Sequence, residues 1–186
     1  MNFNRYITEA EFSELAAFIR REGVVRRFAR GERLSGQGLR SHRCGLVVQG
    51  AFRYVHATEA GERHVVGYAF AGEFVGDYIS MCVDAPSQVT IGAMCGAEAL
   101  LVPGERLETF YRTDAACERL GRRLAEHMLA EVYERLLDRY AASPQQRYEA
   151  LTERCPDVLQ LVPLRELASY LGVRPETLSR IRRRVR

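Results

Sequence analysis

The sequence of 186 residues contains no lysine and no tryptophan, so all 27 of its basic side chains are arginines. Without lysine there can be no P-loop, because that motif needs a lysine against the β- and γ-phosphates of a nucleotide. Schiff-base enzymes and protein kinases are excluded for the same reason. One missing residue type therefore removes three classes of enzyme before any motif is considered.

Long apolar segments are also missing. No apolar run approaches the ~18 residues of a membrane-spanning helix, and the N-terminal stretch MNFNRYITEAEF lacks the apolar core of a secretory signal. The five cysteines are odd in number and show no CxxC spacing: Cys44, Cys82, Cys95, Cys117 and Cys155. We therefore expect reduced thiols, a cytoplasmic location and no membrane partner.

Positive charge is concentrated in the last part of the chain. Residues 141–186 carry nine arginines against five acidic residues, whereas residues 1–140 carry 18 arginines against 19 acidic residues. A nearly neutral body with a basic end favours a polyanionic partner at that end. A solvated tail that only aids solubility fits the charge pattern equally well.

The first hundred residues predict a helix followed by a β-domain. Residues 8–11 (TEAE) fit a capping box, and apolar side chains then recur at helical spacing until Gly23. Between residues 24 and 102, short β-branched and aromatic runs alternate with glycine, which is typical of a small antiparallel barrel or sandwich. Residues 59–62 (EAGE) separate two such runs and predict a hairpin turn.

A single long helix is predicted from about residue 114 to residue 140. Its main apolar side chains recur every four residues: Leu120, Leu124, Met128, Val132, Leu136 and Tyr140. Four more widen the stripe: Ala116, Cys117, Leu129 and Leu137. A helix of roughly 26 residues would be about 40 Å long, which is more than a globular domain usually needs. The stripe favours a coiled-coil-like dimer seam, and the alternative is a helix that packs only on its own barrel.

The remaining residues predict three short helices. Ser143, Pro144 and Gln146 fit the N-cap, N1 and N3 positions of a helix that ends at Cys155, before Pro156. The apolar face of the next helix is formed by Leu164, Leu167, Ala168 and Leu171, and that of the last helix by Leu178 and Ile181. Gly172 permits a sharp turn between them, and Pro175 opens the last helix. This spacing is that of a helix-turn-helix unit.

The second helix of such a unit lies in the major groove of DNA, with its N-terminal residues toward the base edges. The residues at those positions are Arg174, Glu176, Thr177, Ser179 and Arg180. Arginine can bind guanine in bidentate fashion, and glutamate can accept from cytosine. The following arginines are candidates for phosphate contacts: Arg182, Arg183, Arg184 and Arg186. A helical hairpin with no role in DNA binding is the alternative.

These features together resemble the CRP/FNR family of bacterial transcription regulators over nearly the whole chain. The resemblance is carried by Gly31-Glu32-Arg33-Leu34 and Gly38 at the start of the barrel, by the long helix, and by the terminal ASYLGVRPETLSRIRR. Residues 72–93 look like the family's phosphate-binding segment. The resemblance implies an α+β fold: an N-terminal helix, an antiparallel jelly-roll barrel like that of cyclic-nucleotide-binding domains, a long dimerisation helix and a C-terminal helix-turn-helix.

The resemblance also implies a separate function for each of three parts of the chain. Residues 1–113 would form the effector-binding domain, residues 114–141 the dimerisation helix, and residues 142–186 the DNA-binding domain. The expected partners are a second copy of the chain, double-stranded palindromic DNA and a small-molecule effector of unknown identity, and RNA polymerase stays open as a further partner. Because the sequence ends at Arg186, shortly after the last helix, we expect a helix-turn-helix without a full wing.

The effector pocket implied by the resemblance lies in the phosphate-binding segment. Its residues would be Gly72, Glu73, Phe74, Val75, Gly76, Asp77, Ser87, Gln88 and Val89. Family members that bind cyclic AMP carry a glutamate for the ribose and an Arg-Ser pair for the phosphate, and these positions fall on Asp77, Ser87 and Gln88. Loss of the arginine removes a charge-assisted hydrogen bond of roughly 1.5–3 kcal/mol. We therefore expect no binding of cyclic AMP in the family's usual way.

The recognition helix matches the family more closely. Members commonly carry glutamate, then serine and arginine three and four residues later, as Glu176, Ser179 and Arg180 do here. Pro175 stands where members that read the operator with an additional arginine carry it, and Arg174 lies one residue earlier. A TTGA/TCAA-like half-site is the corresponding expectation.

Two other classes of function compete with this interpretation. One is a cupin-like barrel enzyme, which would need a metal cluster or a nucleophile paired with a base. The four histidines, His42, His56, His64 and His127, show no ligand-like spacing, and there is no N-terminal cysteine cluster for iron and sulfur. The other is a small-molecule sensor that acts through protein contacts. We expect a protein that is not an enzyme, and no cofactor can be named.

Overall fold

The computed structural model describes residues 3–4, 7, 10–40 and 42–185. Helix α1 spans Ser13–Glu22, and its N-cap is Phe12, which makes no side-chain cap hydrogen bond. The capping box predicted at residues 8–11 is therefore wrong as the start of this helix, although Thr8 and Glu9 themselves lie outside the described residues. Phe12 is fully buried, so tertiary packing of its ring, rather than a local cap, accompanies the first turn.

The predicted antiparallel β-domain is confirmed. Within the described ranges, eight strands form two four-stranded sheets with the orders β1-β8-β3-β6 and β2-β7-β4-β5, and every pairing is antiparallel. The strands are Val24–Phe28 (β1), Arg33–Ser35 (β2), Arg43–Gln49 (β3), Ala51–Ala57 (β4), Arg63–Phe70 (β5), Phe74–Gly76 (β6), Thr90–Ala93 (β7) and Ala97–Pro103 (β8). Residues between β4 and β5 form the predicted hairpin turn, where Gly61 adopts a φ of 81°.

Successive side chains along each strand point to opposite faces of its sheet, and one set of apolar side chains therefore lies between the two sheets. Phe28, Val47, Phe52, Ile91 and Leu101 are among the buried residues of this inner core. The rings of Phe28 and Phe52 meet edge to face, with centroids 5.1 Å apart. Burial on both inner faces fixes the register of the strands, because a shift by one residue would turn these side chains toward solvent.

The long helix is confirmed almost as predicted. After α2 (Tyr78–Cys82) and α3 (Gly104–Tyr111), helix α4 spans Ala115–Ala141. Its N-cap is Asp114, whose carboxylate accepts from the backbone N–H groups of Ala116 and Cys117 at 2.8 Å each. Only the first part of α4 is buried, at Cys117, Gly121 and Leu124, so the chain itself leaves the second part of the stripe uncovered.

Four helices complete the described chain: α5 (Pro144–Arg154), α6 (Val158–Leu161), α7 (Leu164–Leu171) and α8 (Pro175–Val185). The predicted capping box of α5 is present, since Ser143 Oγ accepts from Gln146 N at 3.3 Å and Gln146 Oε1 accepts from Ser143 N at 2.8 Å. Cys155 is the C-cap, as predicted. Helix α6 has only four residues and was not predicted.

One apolar cluster joins the barrel to the C-terminal helices. On the barrel it contains residues of β4 and β5, including Val55, Val65 and Phe70. From the C-terminal helices it contains Tyr148, Leu151, Val158, Leu167, Leu171, Leu178 and Ile181, among others. The outer face of one sheet is therefore covered by the helices that carry the helix-turn-helix.

Gly45 provides a test of the sheet packing. A Cβ atom at this position would lie 1.8 Å from the Leu100 carbonyl oxygen across the β3–β8 pair. We expect Gly45→Ala to lower the free energy of unfolding by about 2–3 kcal/mol, because the strands must separate to admit the methyl group. Urea denaturation measures the change.

The matched control is Gly96→Ala, because no atom lies within 4 Å of a Cβ built there and its φ is not in the left-handed range. This variant should change the free energy of unfolding by less than about 0.5 kcal/mol. Equal stability of the two variants would contradict the described pairing of β3 and β8.

Candidate functional site

A sharp turn at Gly172 joins helices α7 and α8, as the sequence predicts. Gly172 ends α7 in the left-handed conformation, with φ 68° and ψ 37°, which is a conformation that favours glycine. Its N–H donates to Ser169 O at 3.1 Å, and Val173 N donates to Ala168 O at 2.9 Å. Ala168 and Leu178 are fully buried, so the small side chain lets the two helices approach. The geometry is that of a helix-turn-helix.

Helix α8 buries Leu178 and Ile181 and turns its polar face outward. The exposed residues are Arg174, Glu176, Arg180, Arg183 and Arg184, and the half-buried ones are Thr177, Ser179 and Arg182. Arg180 Nη2 lies 3.5 Å from Thr177 Oγ1. Across the part of the chain that the structure describes, these arginines have no carboxylate partner. The structure thus brings eight of the nine predicted DNA-contacting residues together on one short helix and its leading turn, and the ninth, Arg186, lies outside the described residues.

Polar contacts also fix α7 on the barrel. Ser169 Oγ accepts a hydrogen bond from Val65 N in β5 at 2.9 Å. Arg53 in β4 forms a half-buried salt bridge with Glu166 at the start of α7. These two contacts and the apolar cluster place the helix-turn-helix against β4 and β5, which are strands of the barrel.

Asp77 and Ser87 contact each other in the segment formed by residues 72–93. Asp77 is the N-cap of α2, and its Oδ2 accepts from Ser80 Oγ at 2.7 Å. The Ser87 hydroxyl lies 2.5 Å from the same oxygen and 2.7 Å from the Val89 carbonyl oxygen, and Ser87 is only 3% exposed. These are the two positions at which we expect, from the sequence, cyclic-AMP-binding members to carry the ribose-binding glutamate and the phosphate-binding arginine. Here their polar atoms are satisfied within the chain.

Glu73 serves the N-terminal segment. Its carboxylate accepts from Phe3 N at 2.5 Å, from Asn4 Nδ2 at 2.9 Å and from Phe70 N at 3.1 Å. Burial raises the pKa of this carboxyl group, and the hydrogen bonds partly oppose that effect. Glu73 therefore ties residues 3–4 to the turn between β5 and β6.

The other predicted pocket residues lie in different environments. Gly72 forms the turn before β6 with a φ of 85°. Gln88 is exposed, and its carbonyl oxygen lies 2.8 Å from His56 Nδ1. Val89 packs against the inner core of the barrel. The structure therefore does not gather the nine predicted residues around one space.

A cavity of about 210 Å³ lies between the barrel and α4. Asn4, Ile7 and residues from α1, β3, β4, β5, β6, α2, α3 and α4 line it, and three of the predicted pocket residues are among them: Phe74, Val75 and Gly76. Sequence reasoning missed the polar lining residues, which are Asn4, Tyr54, Tyr68, Tyr78, Tyr111, Glu131 and Arg135. No local spacing marks these residues, although Leu124 and Met128, which also line the cavity, belong to the predicted stripe of α4.

The described residues contain neither a cluster of metal-binding side chains nor a helix that could cross a membrane. Among them, no group of three or more His, Cys, Asp or Glu side chains is arranged to hold a metal ion. His127, for example, pairs with Glu11 at 3.0 Å. Of the helices in the described ranges, none is both long enough and apolar enough to cross a bilayer.

Comparison with known protein families and proteins shows what this chain is similar to. Residues 25–114 match the model of the cyclic nucleotide-binding domain family. No curated protein matches the chain in sequence.

Solved structures match the chain over most of its length. FixK2 from Bradyrhizobium japonicum has a TM-score of 0.72 at 18% identity, covering 88% of this chain and 84% of that one. A proposed CRP/FNR transcriptional regulator from Eubacterium rectale has a TM-score of 0.68 at 14% identity, covering 96% and 86%. The c-di-GMP-responsive global regulator CLP from Xanthomonas campestris has a TM-score of 0.66 at 16% identity, covering 95% and 90%. Residues 25–114 are thus similar to cyclic nucleotide-binding domains, and the chain has the fold of the CRP/FNR transcription regulators.

Proposed function

We propose that the protein is a homodimeric transcription regulator that reads DNA with α8. The observation that carries this proposal is the outward face of α8, where arginines without carboxylate partners in the described chain follow a helix-turn-helix turn at Gly172. Glu176 and Arg180 are one turn apart at the N-terminal end, which is the end that faces base edges in such units. Arg183 and Arg184 follow on the exposed surface and suit phosphate oxygens.

The dimer interface of this proposal is the second half of α4. Leu129, Tyr133, Leu136 and Tyr140 are exposed by 69%, 58%, 47% and 85% in the single chain. Their spacing of four, three and four residues is that of a heptad seam. Val132 and Leu137 are also exposed and widen the same surface. A contiguous apolar surface of this kind marks an interaction site, and a second copy of α4 would cover it.

In this proposal each of three parts of the chain has its own function. We assign residues 1–113 to effector binding, residues 114–141 to dimerisation and residues 142–186 to DNA binding. Twofold symmetry then predicts a palindromic operator, because each α8 contacts one half-site. The role is regulatory rather than enzymatic, and RNA polymerase is a further candidate partner.

Cyclic AMP is not the effector in this proposal. Ser87 supplies no positive charge for a cyclic phosphate, and its hydroxyl already lies within hydrogen-bonding distance of Asp77 and Val89. Asp77 in turn caps α2 and bonds Ser80. A nucleotide would have to break these bonds without gaining the charge-assisted contact that an arginine provides.

DNA binding can be separated into base-reading and phosphate contributions. On the duplex that the unmodified protein prefers, Arg180→Ala should weaken binding by about 1–3 kcal/mol, while binding to a shuffled duplex changes little. Arg183→Ala and Arg184→Ala should weaken binding to both duplexes and flatten the salt dependence of affinity. Fluorescence anisotropy at several salt concentrations measures both effects.

Arg122→Ala is the control, since Arg122 lies on α4 and pairs with Glu126 at 2.6 Å, away from α8. Its DNA affinity should equal that of the unmodified protein. If the protein shows no preference between the two duplexes, or if Arg180→Ala weakens binding to both equally, α8 does not read bases.

The α4 interface predicts a monomeric variant. Leu136→Glu places a carboxylate in the centre of the exposed heptad positions, where burial of an unpaired charge is costly. Sedimentation velocity should show a dimer for the unmodified protein and a monomer for this variant.

Leu161→Glu is a matched control, because Leu161 is 45% exposed against 47% for Leu136 and lies in α6. It should remain a dimer. A monomeric unmodified protein, or a dimeric Leu136→Glu variant, would contradict the assigned interface.

The exclusion of cyclic AMP has a direct calorimetric test. Titration of cyclic AMP and, separately, of cyclic GMP into the protein should show no sub-micromolar binding, since the charge-assisted phosphate contact is absent. A sub-micromolar dissociation constant for either nucleotide would show that the segment from residue 72 to residue 93 binds phosphate by another route.

A further inference from the structure

The Phe3 ring lies between the barrel and the C-terminal helices. It is only 1% exposed and belongs to the apolar cluster that joins these two parts of the chain. The rings of Tyr68 and Phe70, both in β5, meet it near edge to face, with centroids 5.4 Å and 5.6 Å away. The ring of Tyr170, in α7, has its centroid 5.2 Å away. Phe3 therefore contacts a strand of the barrel and the first helix of the helix-turn-helix at the same time.

A third element also contacts this ring. The guanidinium carbon of Arg154, at the end of α5, lies 5.3 Å from the centroid of the Phe3 ring, within the range of a cation–π interaction. The ring is thus surrounded by β5, α5 and α7. Loss of the ring would remove contacts from all three elements, because a small void leaves its lining atoms without partners on one side.

Glu73 holds the backbone that carries this ring. Its Oε1 accepts from Phe3 N at 2.5 Å and from Asn4 N at 3.3 Å, and its Oε2 accepts from Asn4 Nδ2 at 2.9 Å. Glu73 is only 6% exposed, and hydrogen bonds to an ionised carboxylate are stronger than those between neutral groups. Asn4 Nδ2 also donates to the Tyr68 carbonyl oxygen at 3.3 Å. Hydrogen bonds therefore fix the backbone of residues 3–4 on the barrel, and packing fixes the ring.

We propose that Phe3 and Asn4 form an N-terminal clamp that holds the helix-turn-helix on the barrel. Glu73 anchors the N-terminal clamp to the barrel, and the Phe3 ring transmits that anchor to α5 and α7. All of these contacts are non-covalent, and the inner core between the two sheets includes neither residue. Release of the N-terminal clamp therefore loosens α7 while the barrel stays folded. The proposal does not depend on whether α8 reads DNA.

The Val65 amide reports whether α7 is docked on the barrel. Strand β5 is at the edge of its sheet, and Val65 N donates to Ser169 Oγ of α7 at 2.9 Å. If α7 leaves the barrel, this amide loses its partner and exchanges with solvent, as expected for local opening. Leu101 provides the reference, because it lies in β8, which is paired on both sides in the other sheet.

Hydrogen exchange of the full chain without DNA, followed by NMR spectroscopy, tests the N-terminal clamp. Phe3→Ala should raise the exchange rate of Val65 relative to that of Leu101 by about tenfold or more, equivalent to about 1.4 kcal/mol. Phe3→Leu keeps an apolar side chain in the same place and should raise this ratio by less than Phe3→Ala does. Asn4→Asp keeps the size of the side chain but places a second carboxylate beside Glu73, so repulsion should also raise the ratio.

Phe18→Ala is the matched control for the loss of a buried ring. Phe18 is 5% exposed, stacks on Phe110 at 4.5 Å and belongs to a different apolar cluster. This variant should leave the ratio of the two exchange rates unchanged. If Phe3→Ala leaves the ratio unchanged, or if Phe18→Ala raises it equally, the proposal is overturned. Should Phe3→Ala fail to fold, Asn4→Asp decides: an unchanged ratio in that variant contradicts the N-terminal clamp.

Discussion

The helix-turn-helix depends on packing against the barrel for its position. The short helices after α4 bury their apolar faces together with Val55, Val65 and Phe70 of β4 and β5 in one continuous cluster. Burial of such side chains contributes roughly 1.5–3 kcal/mol each, so the contact is a substantial part of the stability of the C-terminal helices. Consequently the orientation of α8 is set by the same sheet that forms one wall of the barrel.

Helix α4 performs three roles along its length. Its first turns pack on the barrel through Leu124, its middle lines the cavity through Met128 and Arg135, and its exposed side offers the seam around Leu136. The cavity-lining face and the exposed apolar face are thus neighbouring faces of one helix. The helix is therefore longer than packing against the barrel alone requires.

The elements that sequence predicts correctly are those with strong local signals. Such signals depend on residues close together in the chain. Examples are Gly172 in a left-handed turn, the capping box at Ser143 and the apolar stripe of α4, whose side chains recur every four residues. The predicted start of α1 is wrong, since the helix begins after the fully buried Phe12. The site could be predicted only in part, since its polar contacts join distant positions: Tyr54 meets Gly76 22 residues away, and Arg135 meets Val66 69 residues away. No periodicity encodes such pairs.

The central claim is that two copies of α8 read inverted half-sites on DNA. Selection of duplexes from a random library by the unmodified protein, followed by sequencing of the bound fraction, tests this claim most directly. The account predicts enrichment of one palindrome whose half-sites have centres about 10–10.5 base pairs apart, or a multiple of that distance. Binding without enrichment, or enrichment of a single half-site without its inverted repeat, would contradict it.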